Sequence, residues 1–278
     1  MLKIDSHQHY WLYHPVKDAW ITDELKAIQK DFLPADFAPV MQQYGVSGCV
    51  AVQADQSENE NDFLLGLAQK YSFIKGIVGW VDLQADNTEE RLAYYSKIKL
   101  IKGFRHILQS EPDDAFMLNE KFLHGISLLN QYNFTYDILI KPQHLPYAAE
   151  LVSKFPEQRF VIDHIAKPFI KDKLLDGWRE GIQAIAAYPN VYCKVSGLVT
   201  EADWANHKPE DFTPYLDVAF NAFGTNRVMF GSDWPVCNLA GRYEGALNAI
   251  NNYIGQLTLQ EQELFWGQNA IDFYRLEA

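Results

Sequence analysis

Cysteine is scarce in this chain. Only Cys49, Cys193 and Cys237 occur in 278 residues, far apart and never as CxxC. That excludes a disulfide framework and a zinc knot built on cysteine pairs, and leaves the three as small apolar packing groups. Basic residues are outnumbered, 24 Lys and Arg against 36 Asp and Glu, for a net charge of −12 without any basic cluster. Nucleic-acid binding, which depends on neutralising phosphates, is therefore disfavoured. No apolar run reaches the roughly 18 residues that a membrane span needs. The opening "MLKIDSHQHY" carries Asp5 where a signal peptide would need an apolar stretch. A cytoplasmic protein with no membrane partner is expected. No GxGxxG or phosphate loop follows the first apolar segment, which removes the usual support for an open doubly wound sheet. Repeats, low-complexity tracts and linker-like composition shifts are missing as well.

What remains is rich in apolar residues, 48% of the chain, enough for a large core. Short β-branched and aromatic segments alternate with longer segments of helical period. The expected strands are "LKIDSH", "SGCVAVQ", "FIKGIVGWV", "LIKGFRH", "NFTYDILI", "RFVIDHI", "NVYCKVSG" and "RVMFGSDW". Between them, "NDFLLGLAQKY" gathers Phe63, Leu64, Leu67 and Ala68 on one face, and "NEKFLHGISLLNQY" gathers Phe122, Ile126 and Leu129. "LPYAAELVSKF", "GWREGIQAIAAY" and "TPYLDVAFNAFG" follow suit, the last stopped by Gly224. Eight strands each followed by helix imply an α/β fold, a single-domain (β/α)8 barrel over residues 1–278. Three long connections, roughly 11–35, 106–116 and 197–210, all follow strands, which in a barrel places them on the face that carries active sites. The first holds Trp11, Tyr13 and Trp20, suited to a pocket wall or to pinning the loop.

Polar residues sit at the ends of these strands. His7 and His9 are two apart and so share a face. His164 ends strand 6, Asp233 strand 8 and Arg105 strand 4, while Lys194 lies within strand 7. Closing the barrel brings them together. A charge inside a barrel is costly unless paired, so Lys194 meets either a ligand or a carboxylate such as Asp137 or Asp163. Gln53, Trp80 and His106 also fall at strand ends, where they would line the pocket. Glu201, in "VTEAD", suggests no role.

Taken in order, "IDSHQHYW", "GFRHILQ", "VIDHIAKP", "CKVSGLVTEA" and "GSDWPV" resemble the amidohydrolase superfamily, its amidohydrolase-2 branch, and most closely the sugar-lactonase group. The resemblance spans nearly the whole chain. It implies a hydrolase that opens a lactone ring of a sugar acid, with His7, His9, His164 and Asp233 as the catalytic set and Asp233 activating water. Arg105, Lys194, His106, Gln53, Trp11 and Trp80 would bind the substrate. Two-metal relatives carry a lysine ending strand 4 and a histidine ending strand 5, and "GFRH" and "TYDILIKP" offer neither. The resemblance therefore implies either no required cofactor or one divalent ion, zinc or manganese, on His7, His9 and Asp233. The partner is a small sugar lactone, and the sequence allows a homo-oligomer. A metal-dependent decarboxylase or a pyrone-dicarboxylate hydrolase on the same scaffold is the alternative.

Overall fold

A computed structural model describes residues 1–277. All eight expected strands form: β1 (Ile4–Gln8), β2 (Gly48–Val52), β3 (Ile74–Gly79), β4 (Ile101–His106), β5 (Thr135–Ile138), β6 (Phe160–Ile162), β7 (Val191–Val195) and β8 (Val228–Phe230). They pair in parallel in chain order. The seam between β8 and β1 is bridged just past the strand ends, where His9 N–H donates to Trp234 O at 2.7 Å and Asp233 N–H to His7 O at 2.8 Å. The buried Asp5 reinforces the seam by accepting from Ser232 N–H (2.9 Å), His7 N–H (3.2 Å) and the Tyr243 hydroxyl (3.2 Å). The result is a (β/α)8 barrel.

The strands are buried on both faces, which is why they read as continuous apolar runs. Cys49 and Ala51 of β2 join the cluster shared with the helices, whereas Val50 and Val52 join the barrel interior. Helices α1 (Pro34–Tyr44), α2 (Glu58–Ala68), α3 (Thr88–Tyr95), α4 (Glu120–Leu129), α5 (Leu145–Lys154), α6 (Trp178–Ala186), α7 (Pro209–Phe223) and α8 (Arg242–Ile254) follow the strands in turn. The faces expected from periodicity are the buried ones: Phe122, Ile126 and Leu129 in α4, and Leu64 and Ala68 in α2. Gly224 ends α7 at φ +71°, where a side chain would be strained. After the short α9 (Leu259–Glu263), α10 (Asn269–Tyr274) contributes Phe273 and Tyr274 to the interior cluster. Among the described residues no helix is long and apolar enough to cross a membrane.

The first long loop is tied at its base. Trp11 and Phe32 exchange backbone hydrogen bonds of 3.0 and 2.9 Å, and the Trp11 indole donates to Lys30 O at 2.8 Å. Trp11 is buried, while Trp20, packed edge-on against it at 6.0 Å, is 46% exposed.

Candidate active site

The alternation of β1 sends His7 and His9 to one point: their Nε2 atoms stand 3.1 Å apart. Asp233 enters from beyond β8, in a left-handed conformation (φ +58°), with Oδ1 3.4 Å from His9 Nε2 and 3.9 Å from His7 Nε2. His164 lies two residues past the end of β6, its ring 4.4 Å from that of His7 and its Nδ1 2.8 Å from Ser196 Oγ. Gly197 makes room for it. A Cβ there would meet His164 Nδ1 at 2.7 Å, and φ is already +63°.

Charge follows from these contacts. The His9 Nδ1–H donates to Val52 O at 2.8 Å, because a carbonyl can only accept; a neutral His9 therefore turns an Nε2 lone pair to the cluster. Burial holds His7 and His164 well below the ordinary imidazole pKa, so both are neutral. Burial pushes the Asp233 carboxyl up; His164, His9 and Lys167 together outweigh it and hold the carboxyl below its ordinary range, Lys167 being the fixed positive charge among them.

Beneath the cluster lies a sealed layer of four charges from adjacent strands. Lys194 Nζ is 2.5 Å from Asp137 Oδ2 and 3.0 Å from Asp163 Oδ1. Arg105 Nη1 reaches Asp163 Oδ2 at 3.1 Å, and its Nη2 donates to Gln53 O at 2.5 Å. His7 hangs from this layer, with Nδ1 3.2 Å from both Asp163 Oδ1 and Lys194 Nζ. With its proton on Nδ1, facing Asp163, its single Nε2 lone pair accepts from Arg105 Nη1 at 3.3 Å, beside His9 Nε2. With the proton on Nε2, His7 donates to His9 instead and accepts from Lys194.

Above the cluster opens a cavity of about 260 Å³. Its lining includes His9, Trp11, Trp20, Gln56, Arg105, Gln109, Ser110, His164, Lys167 and Asp233.

A family model for amidohydrolases matches residues 4–276. The chain belongs to the amidohydrolase family. It is 37% identical over 286 residues to an L-fucono-1,5-lactonase of Burkholderia multivorans, covering 99% of this chain and 96% of that protein. An L-fucono-1,5-lactonase of Burkholderia ambifaria is 33% identical over 284 residues, with the same coverage of 99% and 96%. A crystal structure of an amidohydrolase from Burkholderia multivorans with bound zinc superposes with a TM-score of 0.95 at 37% identity, each chain covered in full.

The donor atoms of the cluster are spaced to share one ion. His7 Nε2, His9 Nε2 and Asp233 Oδ1 form a triangle with edges of 3.1, 3.9 and 3.4 Å. Four-coordinate zinc with ligands at about 2.0–2.2 Å spans edges of about 3.4 Å. His7, His164 and Asp233 form a second grouping, with ligand atoms within 4.8 Å of one another, so His164 joins the donors named from sequence. Imidazole lone pairs beside an ionised carboxylate are the donor set a divalent ion takes, and the cluster could hold one.

Several residues expected to touch substrate stand elsewhere. Lys194 is fully enclosed and spends its contacts on Asp137, Asp163 and His7, which corrects the expectation of substrate binding: its charge is balanced inside the barrel. Gln53 is also enclosed, its amide donating to Arg105 O at 3.1 Å. Arg105 reaches the cavity wall, yet both terminal nitrogens are already committed inward. His106 pairs with Glu111 at 2.7 Å and stacks on Phe116, and Trp80 lies against His106, its indole 3.5 Å from Nδ1. Trp11 does line the cavity. Sequence reasoning missed Lys167, Gln56, Gln109 and Ser110, loop residues of common polar types; the only cue for Lys167 is its place three residues after His164.

Proposed function

We propose that this amidohydrolase opens the lactone ring of a sugar acid, with Asp233 as the base that activates water. The observation that carries the reading is the convergence of Asp233, His9 and His164 on a small cavity lined also by Trp11, Trp20 and side-chain amides, with the His7 imidazole buried directly behind them. The names of the two Burkholderia relatives support it. Indole faces suit the C–H side of a sugar, and polar groups such as Ser110 and Gln109, whose Oε1 is buried without a partner, suit hydroxyls.

Asp233 takes a proton from water as the water oxygen bonds to the acyl carbon. The acyl bond to the ring oxygen then breaks, and Asp233 returns the proton to the departing alkoxide, giving a hydroxy acid. A positioned carboxylate base contributes about 10²–10⁴-fold. Against an ester as activated as a lactone, that is a large share of what is needed. A divalent ion held by His7, His9, His164 and Asp233 would polarise the carbonyl and bring the pKa of water down to about 7. The sealed layer orients His7 for either state. Arg105 is the group suited to clamp a second carboxylate, and its inward-turned nitrogens weigh against a dicarboxylate substrate. The three free, buried cysteines are in keeping with a reducing compartment such as the cytoplasm.

The test is acid release from a panel of aldonolactones by chelator-treated protein, with metal content measured on the same sample and zinc or manganese added back. Hydrolysis of one or more aldonolactones, with or without added metal, is expected. No hydrolysis under any metal condition, or release of CO₂ from aromatic acids, would replace the reading.

A further inference from the structure

His164, Ile165, Ala166 and Lys167 are four consecutive non-glycine residues in the left-handed region, with φ of +54°, +46°, +58° and +50°. That conformation costs about 1–2 kcal/mol per residue, and no glycine relieves it here. Tertiary contacts hold the turn. Lys167 N–H donates to His164 O at 2.8 Å, the Trp178 indole donates to Ile165 O at 2.7 Å, and Ile165 and Ala166 are fully buried. Strain kept in place by its surroundings points to function. One turn places residues three apart on one face, and His164 and Lys167 both line the cavity while the two between enter the core. The acid–base cluster accounts for His164. Nothing said so far accounts for Lys167.

Of the two cationic side chains on the cavity wall, Arg105 is locked. Lys167 is not. Its one ion pair among the described residues, with Glu201 Oε1, is 3.8 Å long, at the limit of a direct contact, and the two side chains are 23% and 27% exposed. The ammonium is free to turn to a ligand. A sugar lactone is neutral and its opened product is a carboxylate, so a cation here matters little to substrate binding and more as charge develops.

We propose that Lys167 is a catalytic residue of lactone opening, its ammonium donating to the acyl oxygen that gains charge as water adds. This rests on the lactonase reading above. The water oxygen bonds to the acyl carbon, the ring C–O bond breaks, and the transferred proton travels through Asp233; Lys167 keeps its protons throughout.

The experiment compares Lys167→Met, Lys167→Gln and Lys167→Arg with the wild type on the lactone the wild type opens fastest. Titration calorimetry with the aldonate product and thermal melts accompany the kinetics. Loss of one such donor costs about 10²-fold in kcat. The Met and Gln variants are expected to lose that much with KM changed less than about threefold, to bind aldonate more weakly and to melt with the wild type, while Arg regains part of the rate. Met and Gln variants within about twofold of wild-type kcat, or a loss confined to KM, would overturn the proposal and leave the lactonase reading standing. A wild type that opens no lactone would take down both.

Discussion

The barrel carries ionisable groups at two depths. In the sealed layer, Arg105, Asp137, Asp163 and Lys194 are 4%, 0%, 0% and 0% exposed, two cations against two anions. At the rim, His9, His164, Lys167 and Asp233 are of similar types, yet each faces the cavity. The difference lies in how closely each charge is paired. Below, each charge is answered by another within about a hydrogen bond's length, and of the four only Arg105 also reaches the cavity. Above, the Asp233 carboxylate has its nearest imidazoles at 3.4 and 3.9 Å and the Lys167 ammonium pairs with Glu201 at 3.8 Å, contacts looser than any ion pair in the layer below. Chemistry belongs to the loosely paired groups.

The sharpest way to break this comparison is to unbalance the lower layer. Lys194→Met leaves Asp137 and Asp163 facing each other without their shared cation. Breaking a buried pair in this way costs about 3–5 kcal/mol. Urea denaturation should show that loss, and a change under about 1 kcal/mol would mean that the layer is not the self-neutralising unit described here.

Glu60 sharpens the contrast from another side. Burial pushes its carboxyl from 4.5 up to about 7; the Ala54 N–H and Lys17 only partly offset this. In Asp163 burial acts the same way, but Lys194, His7 and Arg105 outweigh it and hold the carboxyl well below its ordinary range. The folded chain thus keeps a proton on Glu60 that the unfolded chain releases, and stability falls as pH rises from 4.5 to about 7. Glu60→Gln should remove that slope, gaining up to about 3 kcal/mol on the wild type by pH 8. Parallel stability curves for the two proteins would contradict it.

A smaller effect is expected at the cavity mouth. Trp20 is 46% exposed and supports no core. Trp20→Ala should raise KM about tenfold with kcat and melting temperature held, the mark of uniform binding lost. A drop in melting temperature instead would make Trp20 a packing residue.

The fold was legible because eight doubly buried strands leave a strong apolar signal, and because Gly224 and the helix faces punctuate the rest. The rim was legible where strand alternation governs, as at His7 and His9. Depth along a strand was not. Arg105 read as a pocket residue, and Lys194 as either a substrate-binding charge or one paired with a carboxylate such as Asp137 or Asp163, because a charged residue near a strand's end looks the same whether it opens upward or is answered by a neighbouring strand. Asp137 and Asp163 supply that answer from 57 and 31 positions away. Lys167 was hidden for a different reason: its aim comes from a left-handed turn that no residue in "HIAKP" announces.

The measurement that bears most directly on the account is kcat for Asp233→Asn on the aldonolactone that the wild type opens fastest, with thermal unfolding of the same sample. A loss of at least about 10²-fold at an unchanged melting temperature is expected for a base that sits at the rim and bears no structural load. A rate close to wild type would remove Asp233 from the chemistry and with it the reason for reading the rim as the catalytic centre.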